Sequence, residues 1–380
     1  MTITSHTTGE IRARLSVRRR LVAVLRRHRR SLAVLAPLLV VAGVVHAWGM
    51  ATFPAWVDDP GTYLAQAWAV AHEHALSPYT YFYDHAPAGW IQLALWSLLT
   101  GGFDRYDTAM AFGNECMLLA KLVSCALLYA LARRVGLARA WAAVAVLLFA
   151  LSPLALVYTR WTFLDNLVTP WLLLAFVLVY SPRKSIGAAV GGSLAFAMAA
   201  LTKETALVAL PAFVYALAQN LDARNRAQVL VMSSFSGLLL MGMYPLFAIL
   251  RGELLPAPGH TSLLGTAGWQ LSGRGGSGSV FDAGSAAHGL VQSWLGYDAI
   301  LLAGGVLAVP VALVERRLRP IVLLVALQAL MLLRGGYVPF MHVILVLPLC
   351  ALLIAAALDR LAGRRVWVAA VAGVAAAAVW

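Results

Sequence analysis

Charge is scarce in this 380-residue chain. Asp, Glu, Lys and Arg together make up 12% of it, against 61% hydrophobic residues, whereas a soluble globular domain carries about 25% charged residues. With a mean hydropathy of +0.80, water is excluded as the main solvent, and the size and domain expectations for soluble proteins fall with it. Cysteine is nearly absent. Cys116, Cys125 and Cys350 all fall inside apolar runs, which argues against a disulfide framework or a spaced metal motif and leaves them as packing residues. The chain also lacks a repeat of fixed period and an inverted pair of Gly/Pro-broken helices of the kind that marks many secondary transporters. Acid is rarer than base, with 16 Asp and Glu against 29 Lys and Arg.

In place of these, the chain has apolar runs of bilayer length. A hydrocarbon core about 30 Å thick takes roughly 20 apolar residues per helix. Such runs predict spans at 31–50, 111–132, 140–158, 166–180, 185–201, 204–220, 228–250, 299–314, 320–334, 338–357 and 366–380. The expected fold class is an all-α integral membrane protein of about eleven transmembrane helices, with juxtamembrane helices in a large first outer loop. The organisation is a basic cytoplasmic segment at 1–30, a first helix at 31–50, an outer loop at 51–110, helices over 111–250, a second outer loop at 251–298 and helices over 299–380.

A net charge of +13 would suit nucleic acid, but its placement argues otherwise. Basic residues crowd Arg12 to Arg30 and recur at Arg133, Arg134, Arg139, Arg183, Lys184, Arg224, Arg226, Arg316, Arg317, Arg319, Arg360, Arg364 and Arg365, in every second loop. This is the positive-inside pattern. It predicts a multi-pass plasma membrane protein with a cytoplasmic N-terminus, membrane lipid as its surroundings and no nucleic-acid partner. The run from Ser31 to Met50 is followed by no A-x-A-like cleavage site and reads as a retained first helix.

The two outer segments break the pattern of helices joined by short loops, and function is expected there. In the second, Gly273-Arg274-Gly275-Gly276-Ser277-Gly278-Ser279 cannot pack a core. It reads either as a flexible connector or as a mobile lid that orders over a substrate.

Three clusters carry candidate chemistry. Trp56-Val57-Asp58-Asp59-Pro60-Gly61-Thr62-Tyr63 follows the first helix. Two adjacent carboxylates repel, which holds one proton more tightly and makes either Asp58 or Asp59 a candidate general base or metal ligand. The plain alternative is a helix start capped by Asp59, with Pro60 at the first helical position. Next comes Tyr79-Thr80-Tyr81-Phe82-Tyr83-Asp84-His85-Ala86-Pro87-Ala88-Gly89-Trp90. Its rings suit an interfacial belt, while Asp84-His85 is less routine, since His85 could neutralise a phosphate or bind a metal. His72 and His74 read as solvent-exposed. The third cluster is Tyr158 to Asn166, where Arg160 and Asp165 lie near the membrane and are either functional or paired with one another. Lys203-Glu204 has the same ambiguity, and Arg334 completes a ring of outer cations.

Acids in the first outer loop, cations at outer helix ends and a wide apolar wall suit an anionic head on a lipid tail. The chemistry points to a lipid-phosphate substrate approached from within the bilayer, its phosphate paired to Arg or Lys. A non-catalytic lipid or solute transporter is the alternative; Lys121 and Glu115 in the second helix would be its intramembrane charges, and their spacing does not put them on one face. A structural scaffold would leave the acidic pair without a task.

A family resemblance covers most of the chain. Asp58-Asp59-Pro60-Gly61-Thr62-Tyr63, Tyr83 to Trp90, Arg160 to Asp165, Leu201-Thr202-Lys203-Glu204 and Gly336-Tyr337-Val338-Pro339 resemble the GT-C glycosyltransferases of the protein O-mannosyltransferase and aminoarabinose transferase type. The resemblance implies an outer-face active site and a polyprenyl-phosphate-linked sugar as donor. The acceptor would be a glycan, lipid or protein. The family's acidic motif is Asp-Glu followed by Tyr or Phe. Counted back from Tyr63, Asp59 takes the Asp position and Pro60 replaces the Glu; with one inserted residue, Asp58-Asp59 stands for the pair. Ala86-Pro87-Ala88 departs from the usual Pro-Pro-Leu, with His85 in place. On this reading Asp59, with Asp58 in reserve, is the base of an inverting transfer of a hexose or pentose. Arg160, Lys203, His85 and Arg334 meet the phosphate, and Tyr63, Asp84 and Asp165 complete the site. A divalent metal is a candidate cofactor, with His85 and Asp59 as its ligands.

Overall fold

The structure is a computed structural model that describes Arg26, residues 28–76, residues 83–362 and Val371, with Asp58 described by its backbone only. The basic segment before Arg26, the aromatic run Tyr79 to Phe82 and, apart from Val371, the expected span at 366–380 lie outside the described residues.

Helices make up the architecture throughout. The first, α1 (His28–Ala47), leads into the first outer loop, which carries α2 (Asp58–His72), α3 (Ala88–Thr100) and the single turn α4 (Gly102–Arg105). The bundle continues through α5 (Ala109–Val135), α6 (Arg139–Leu151), α7 (Pro153–Tyr158), α8 (Leu164–Val179), α9 (Ile186–Thr202), α10 (Leu210–Asn220), α11 (Arg226–Met241) and α12 (Met243–Leu250). The second outer loop holds the short α13 (Leu263–Gly268), and α14 (Ala286–Val314), α15 (Arg319–Leu333) and α16 (Leu347–Ala362) complete the bundle.

Five stretches of the described chain are long and apolar enough to cross a bilayer: His28–Ala47, Ala109–Val135, Arg226–Leu250, Ala286–Val314 and Phe340–Ala362. The runs expected as spans at 166–180, 185–201 and 320–334 form shorter apolar helices. The run at 140–158 is divided between α6 and α7, and 204–220 is a 3-10 turn at Glu204–Ala209 followed by α10. Hydropathy counts apolar residues without seeing where the helix breaks. Pro153 lacks an N–H and interrupts the ladder after α6, and the Ser152 hydroxyl accepts from Ala155 N at 3.1 Å to start α7.

A second break is built the same way. Asp298 leaves helical geometry inside α14 (φ −155°, ψ 73°), and its carboxylate accepts from Leu301 N at 2.8 Å and from the Ser152 hydroxyl at 2.5 Å. Two helix starts, one in α7 and one within α14, therefore share a buried hydrogen bond. Side-chain satisfaction of this kind allows a broken helix at membrane depth, where no water can serve the freed backbone groups.

Around these breaks α8 packs on α9 and α5, α9 on α11, and α16 on α14 and α6. With lipid on the outside, helices associate by close van der Waals contact, which favours small residues at the seams. Gly305 of α14 lies against α16: a Cβ there would meet Cys350 Sγ at 2.4 Å and its Cα at 3.0 Å. The three cysteines are free and buried. Val231, Phe235, Leu238 and Leu239 of α11 and Leu307 of α14 are exposed; in water they would form an aggregating patch, and in a bilayer they meet lipid.

Gly305→Ala is expected to lower stability by roughly 1–3 kcal/mol, because backbone rather than a flexible side-chain tip must move. Thermal unfolding in detergent checks this; an unshifted midpoint would show that the α14–α16 seam yields freely.

Candidate active site

The site begins where α1 ends. The last carbonyls of a helix have no intrahelical partner, and here Arg160 supplies one: its guanidinium donates to the carbonyls of Val45 at 2.9 Å, Trp48 at 2.7 Å and Phe53 at 3.1 Å. Trp161 Nε1 donates to Ala55 O at 2.8 Å, and Asn166 Nδ2 braces the same turn through the carbonyls of Tyr158 and Trp161. The turn between α7 and α8 thus holds the chain that leads into α2.

α2 starts at Asp58, with extended Val57 as its N-cap and no side-chain cap bond. Asp59 is therefore not the cap; it lies in the first turn, where the helix dipole favours a carboxylate. One turn further, on the same face, Tyr63 is only 7% exposed. Its hydroxyl lies 3.4 Å from His85 Nε2. Burial pushes the Tyr63 phenol well above its ordinary value, reinforced by the carboxylates of Asp59, Asp165, Asp84 and Glu204. Tyr63 is thus a protonated donor at the centre of four acids from three parts of the chain.

Two ion pairs meet this cluster. Lys203 Nζ lies 2.6 Å from Asp165 Oδ2 with both side chains 4% exposed, which joins the end of α9 to the start of α8. The next residue, Glu204, faces His85 instead: its Oε2 lies 3.1 Å from His85 Nδ1, and its Oε1 accepts from Ala86 N. A carboxylate on Nδ1 keeps that nitrogen protonated and leaves Nε2 free to accept from Tyr63.

The backbone around His85 is held from the other side of the site. Tyr83 has a left-handed φ of 59°, a sparsely populated state for a non-glycine residue that persists where its surroundings fix it. Tyr244 of α12 donates to the carbonyl of His85 at 3.2 Å, and Tyr83 OH donates to Glu253. Arg251 Nε lies 2.8 Å from the same carboxylate. Burial and the Glu253 hydrogen bond raise the Tyr83 phenol.

Of the residues singled out from sequence, His85 meets the Tyr63 hydroxyl, Asp59, Asp84 and Asp165 act on it electrostatically, and Lys203 pairs with Asp165. Arg160 is occupied by carbonyls at the end of α1, and exposed Arg334 donates to Tyr337 O at 3.2 Å. His342, bonded to Gln328 O, lies within electrostatic reach of Asp165, Lys203 and Arg334. Glu253 and Tyr244 had no local signal, since their partners lie more than 150 positions away in sequence. Glu204 was visible only as an ambiguous charge. Among the described residues, no group of three His, Cys, Asp or Glu is arranged to hold a metal ion.

The second outer loop is tied down at several points. Ser277 N donates to Gly336 O at 3.2 Å, and Ser277 Oγ accepts from Val338 N at 2.9 Å. A Cβ on Gly276 would come within 2.5 Å of Gly335 O. The Arg274 guanidinium lies 3.5 Å from the Tyr337 ring centroid. The Gly/Ser-rich run is docked on the turn after α15, with glycine required where the two backbones meet.

Residues 84–246 match the family model described as dolichyl-phosphate-mannose-protein mannosyltransferase, which bears out the resemblance over that segment; the motifs Asp58 to Tyr63 and Gly336 to Pro339 lie outside it. No curated protein matches the chain. Among solved structures, ArnT from Cupriavidus metallidurans in the apo state aligns with a TM-score of 0.62 at 17% identity, covering 86% of this chain and 59% of that one. The apo oligosaccharyltransferase of Archaeoglobus fulgidus aligns with a TM-score of 0.60 at 14% identity, covering 90% and 52%. The same enzyme tethered to an acceptor peptide containing the NVT sequon aligns at 0.56 and 11%, covering 89% and 50%. The fold is the one these enzymes share, and the chain spans little more than half the length of the solved structures it matches.

Arg251 and Tyr83 hold the Glu253 carboxyl below its ordinary range. A depressed folded value contributes stability above the ordinary value of about 4.3 and loses it as pH falls through the lowered one. Amide protection over 251–262, taken relative to the intrinsic exchange rate at each pH, is expected to fall on acidification in the wild type and to be low already at neutral pH in Glu253→Gln. Identical exchange in the two proteins would remove this tether from the loop.

Proposed function

We propose that this chain, whose residues 84–246 carry the mannosyltransferase family segment, is a membrane glycosyltransferase. It moves a hexose or pentose from a polyprenyl-phosphate sugar to an acceptor hydroxyl. The observation that carries the reading is the cluster around Tyr63: a first-turn carboxylate, a buried Lys203–Asp165 pair and a carboxylate-held His85 in one place. The positive-inside pattern supports an orientation with this cluster on the outer face and the N-terminus in the cytoplasm.

In the proposed step, Asp59 takes the proton of the acceptor hydroxyl as its oxygen bonds to the anomeric carbon. The bond from that carbon to the phosphate oxygen breaks, its electron pair leaves with polyprenyl phosphate, and the configuration inverts. A positioned general base contributes about 10²–10⁴ in rate, so most of the remainder falls to positioning and to cations on the departing phosphate. Lys203 supplies such a cation in the cluster, and His85 orients the Tyr63 hydroxyl beside it. Lys203 shares its charge with Asp165, so an arriving phosphate oxygen would take over part of an existing ion pair rather than meet a bare buried cation. Arg160 acts at one remove, through the backbone that carries α2. Arg334 stands further out as a cation for the approach of the donor.

The transporter alternative draws little support from its two candidate charges. Lys121 Nζ donates to Phe149 O at 2.9 Å. Glu115 accepts from Arg105 at 2.6 Å, Tyr106 at 2.5 Å and Trp96 at 3.1 Å. Both are engaged in joining elements.

Two experiments test the proposal. With purified protein in lipid and a panel of polyprenyl-phosphate sugars, Asp59→Asn should lower transfer by roughly 10²–10⁴ while Asp58→Asn stays near wild type. The reverse pattern would hand the base to Asp58, and full activity in both would end the base assignment. Asp165→Asn alone should cost about 3–5 kcal/mol by stranding a buried ammonium. Asp165→Asn with Lys203→Met should recover stability but not turnover; recovery of both would make the pair purely structural.

A further inference from the structure

The loop between α12 and α14 forms one wall of an open cleft of about 450 Å³ that Asp84 also lines, with His260, Ser262 and Trp269 on the loop side. Its volume is within the roughly 300–1,000 Å³ usual for small-ligand sites. Asp84 belongs to both places: it lines this cavity and acts electrostatically on the Tyr63 hydroxyl, as Asp59 does. A ligand held here therefore shares Asp84 with the Tyr63 cluster.

The chemistry of the wall selects among ligands. Trp269 is 50% exposed and offers an indole face for stacking. Ser262 Oγ accepts from Gly265 N at 3.1 Å and retains its O–H to donate. His260 engages Thr261 O through Nδ1 at 3.0 Å, which leaves Nε2 available. Asp84 accepts hydroxyl protons. Asp84 is the carboxylate of this wall and repels a phosphate or carboxylate; the nearby Arg274 guanidinium, 5.6 Å from the Trp269 ring centroid, is held against the Tyr337 ring and donates to Gln270 at 3.1 Å. A peptide lying along the wall would need unpaired backbone to add to. Here the loop backbone closes on itself, with Leu263 N on Glu253 O at 2.9 Å, Leu264 N on Leu254 O at 3.1 Å and a bridge between Ala257 and His260.

We infer that this cavity is the acceptor subsite and that it takes an uncharged carbohydrate, with a pyranose or furanose ring stacked on Trp269 and its hydroxyls bonded to Asp84, Ser262 and His260. The inference rests on the glycosyltransferase reading above for the word acceptor, and on the cavity alone for the ligand class.

Binding and transfer test it separately. The full chain in lipid nanodiscs is examined by saturation-transfer NMR with a neutral methyl hexoside, a methyl hexuronide and a Ser/Thr-containing peptide. The neutral glycoside should bind, the hexuronide roughly tenfold more weakly, and Asp84→Asn should narrow that gap. Trp269→Ala should abolish the signal and Trp269→Phe should keep it; Ser262→Ala serves as a second probe should Trp269→Ala fail to fold. In transfer assays Trp269→Ala should raise the acceptor KM roughly tenfold and leave the donor KM unchanged. The subsite is overturned if the glycoside does not bind, if it binds Trp269→Ala as well as wild type, or if only the peptide competes at Trp269. Should no donor release polyprenyl phosphate, the glycosyltransferase reading fails, and the binding arm still decides the cavity.

Discussion

Three carbonyls at and beyond the end of α1, those of Val45, Trp48 and Phe53, are satisfied by the guanidinium of Arg160. In an apolar solvent such groups cannot be left open, and the way they are closed decides where the next helix begins. Because Arg160 comes from the turn that also delivers Asp165, the start of α2 and the start of α8 are fixed relative to each other. Asp59 and Asp165 both come within electrostatic reach of Tyr63 as a result. A buried guanidinium bonded to backbone oxygens is costly to disturb, so the first outer loop is anchored by something stiffer than its own short helices.

The same principle runs through the bundle. Ser152 and Asp298 begin two helices and satisfy each other, His46 reaches Ala150 O at 2.9 Å, and Lys121 reaches Phe149 O. Several of the polar residues buried in this apolar chain are thus committed to backbone oxygens. Lys203, Asp165, His85 and Glu204 differ in that they pair with one another, Lys203 with Asp165 and His85 with Glu204, which is where proposed function and structural obligation part company.

Sequence made some of this readable. Apolar periodicity announced a helical membrane protein, and the motifs around Asp59, Tyr83 to Trp90, Asp165 and Lys203 marked the outer end where these residues assemble. The break at Pro153 was harder to see, since a window over 140–158 averages across it, whereas the run expected at 299–314 begins just after the break at Asp298. Arg160 shows the sharper difficulty. A cation beside the membrane looks the same in sequence whether it meets a phosphate or three carbonyls, because the carbonyls carry no side-chain signal. The tasks of Glu204 and Glu253 depend on His85 and Tyr83, brought near only by the packed fold. The Gly/Ser-rich run reads as slack chain, yet it is docked, because the glycines that forbid a core are what lets two backbones touch at Gly276 and Gly335.

Lys203 and Glu204 are consecutive residues at the end of α9, one on Asp165 and the other on His85. Their Cα atoms are about 3.8 Å apart, so a single backbone step ties the start of α8 and the segment before α3 to one point, while each side chain keeps its own rotamers. An insertion between the two residues would pull those anchorages apart without removing a member of either pair.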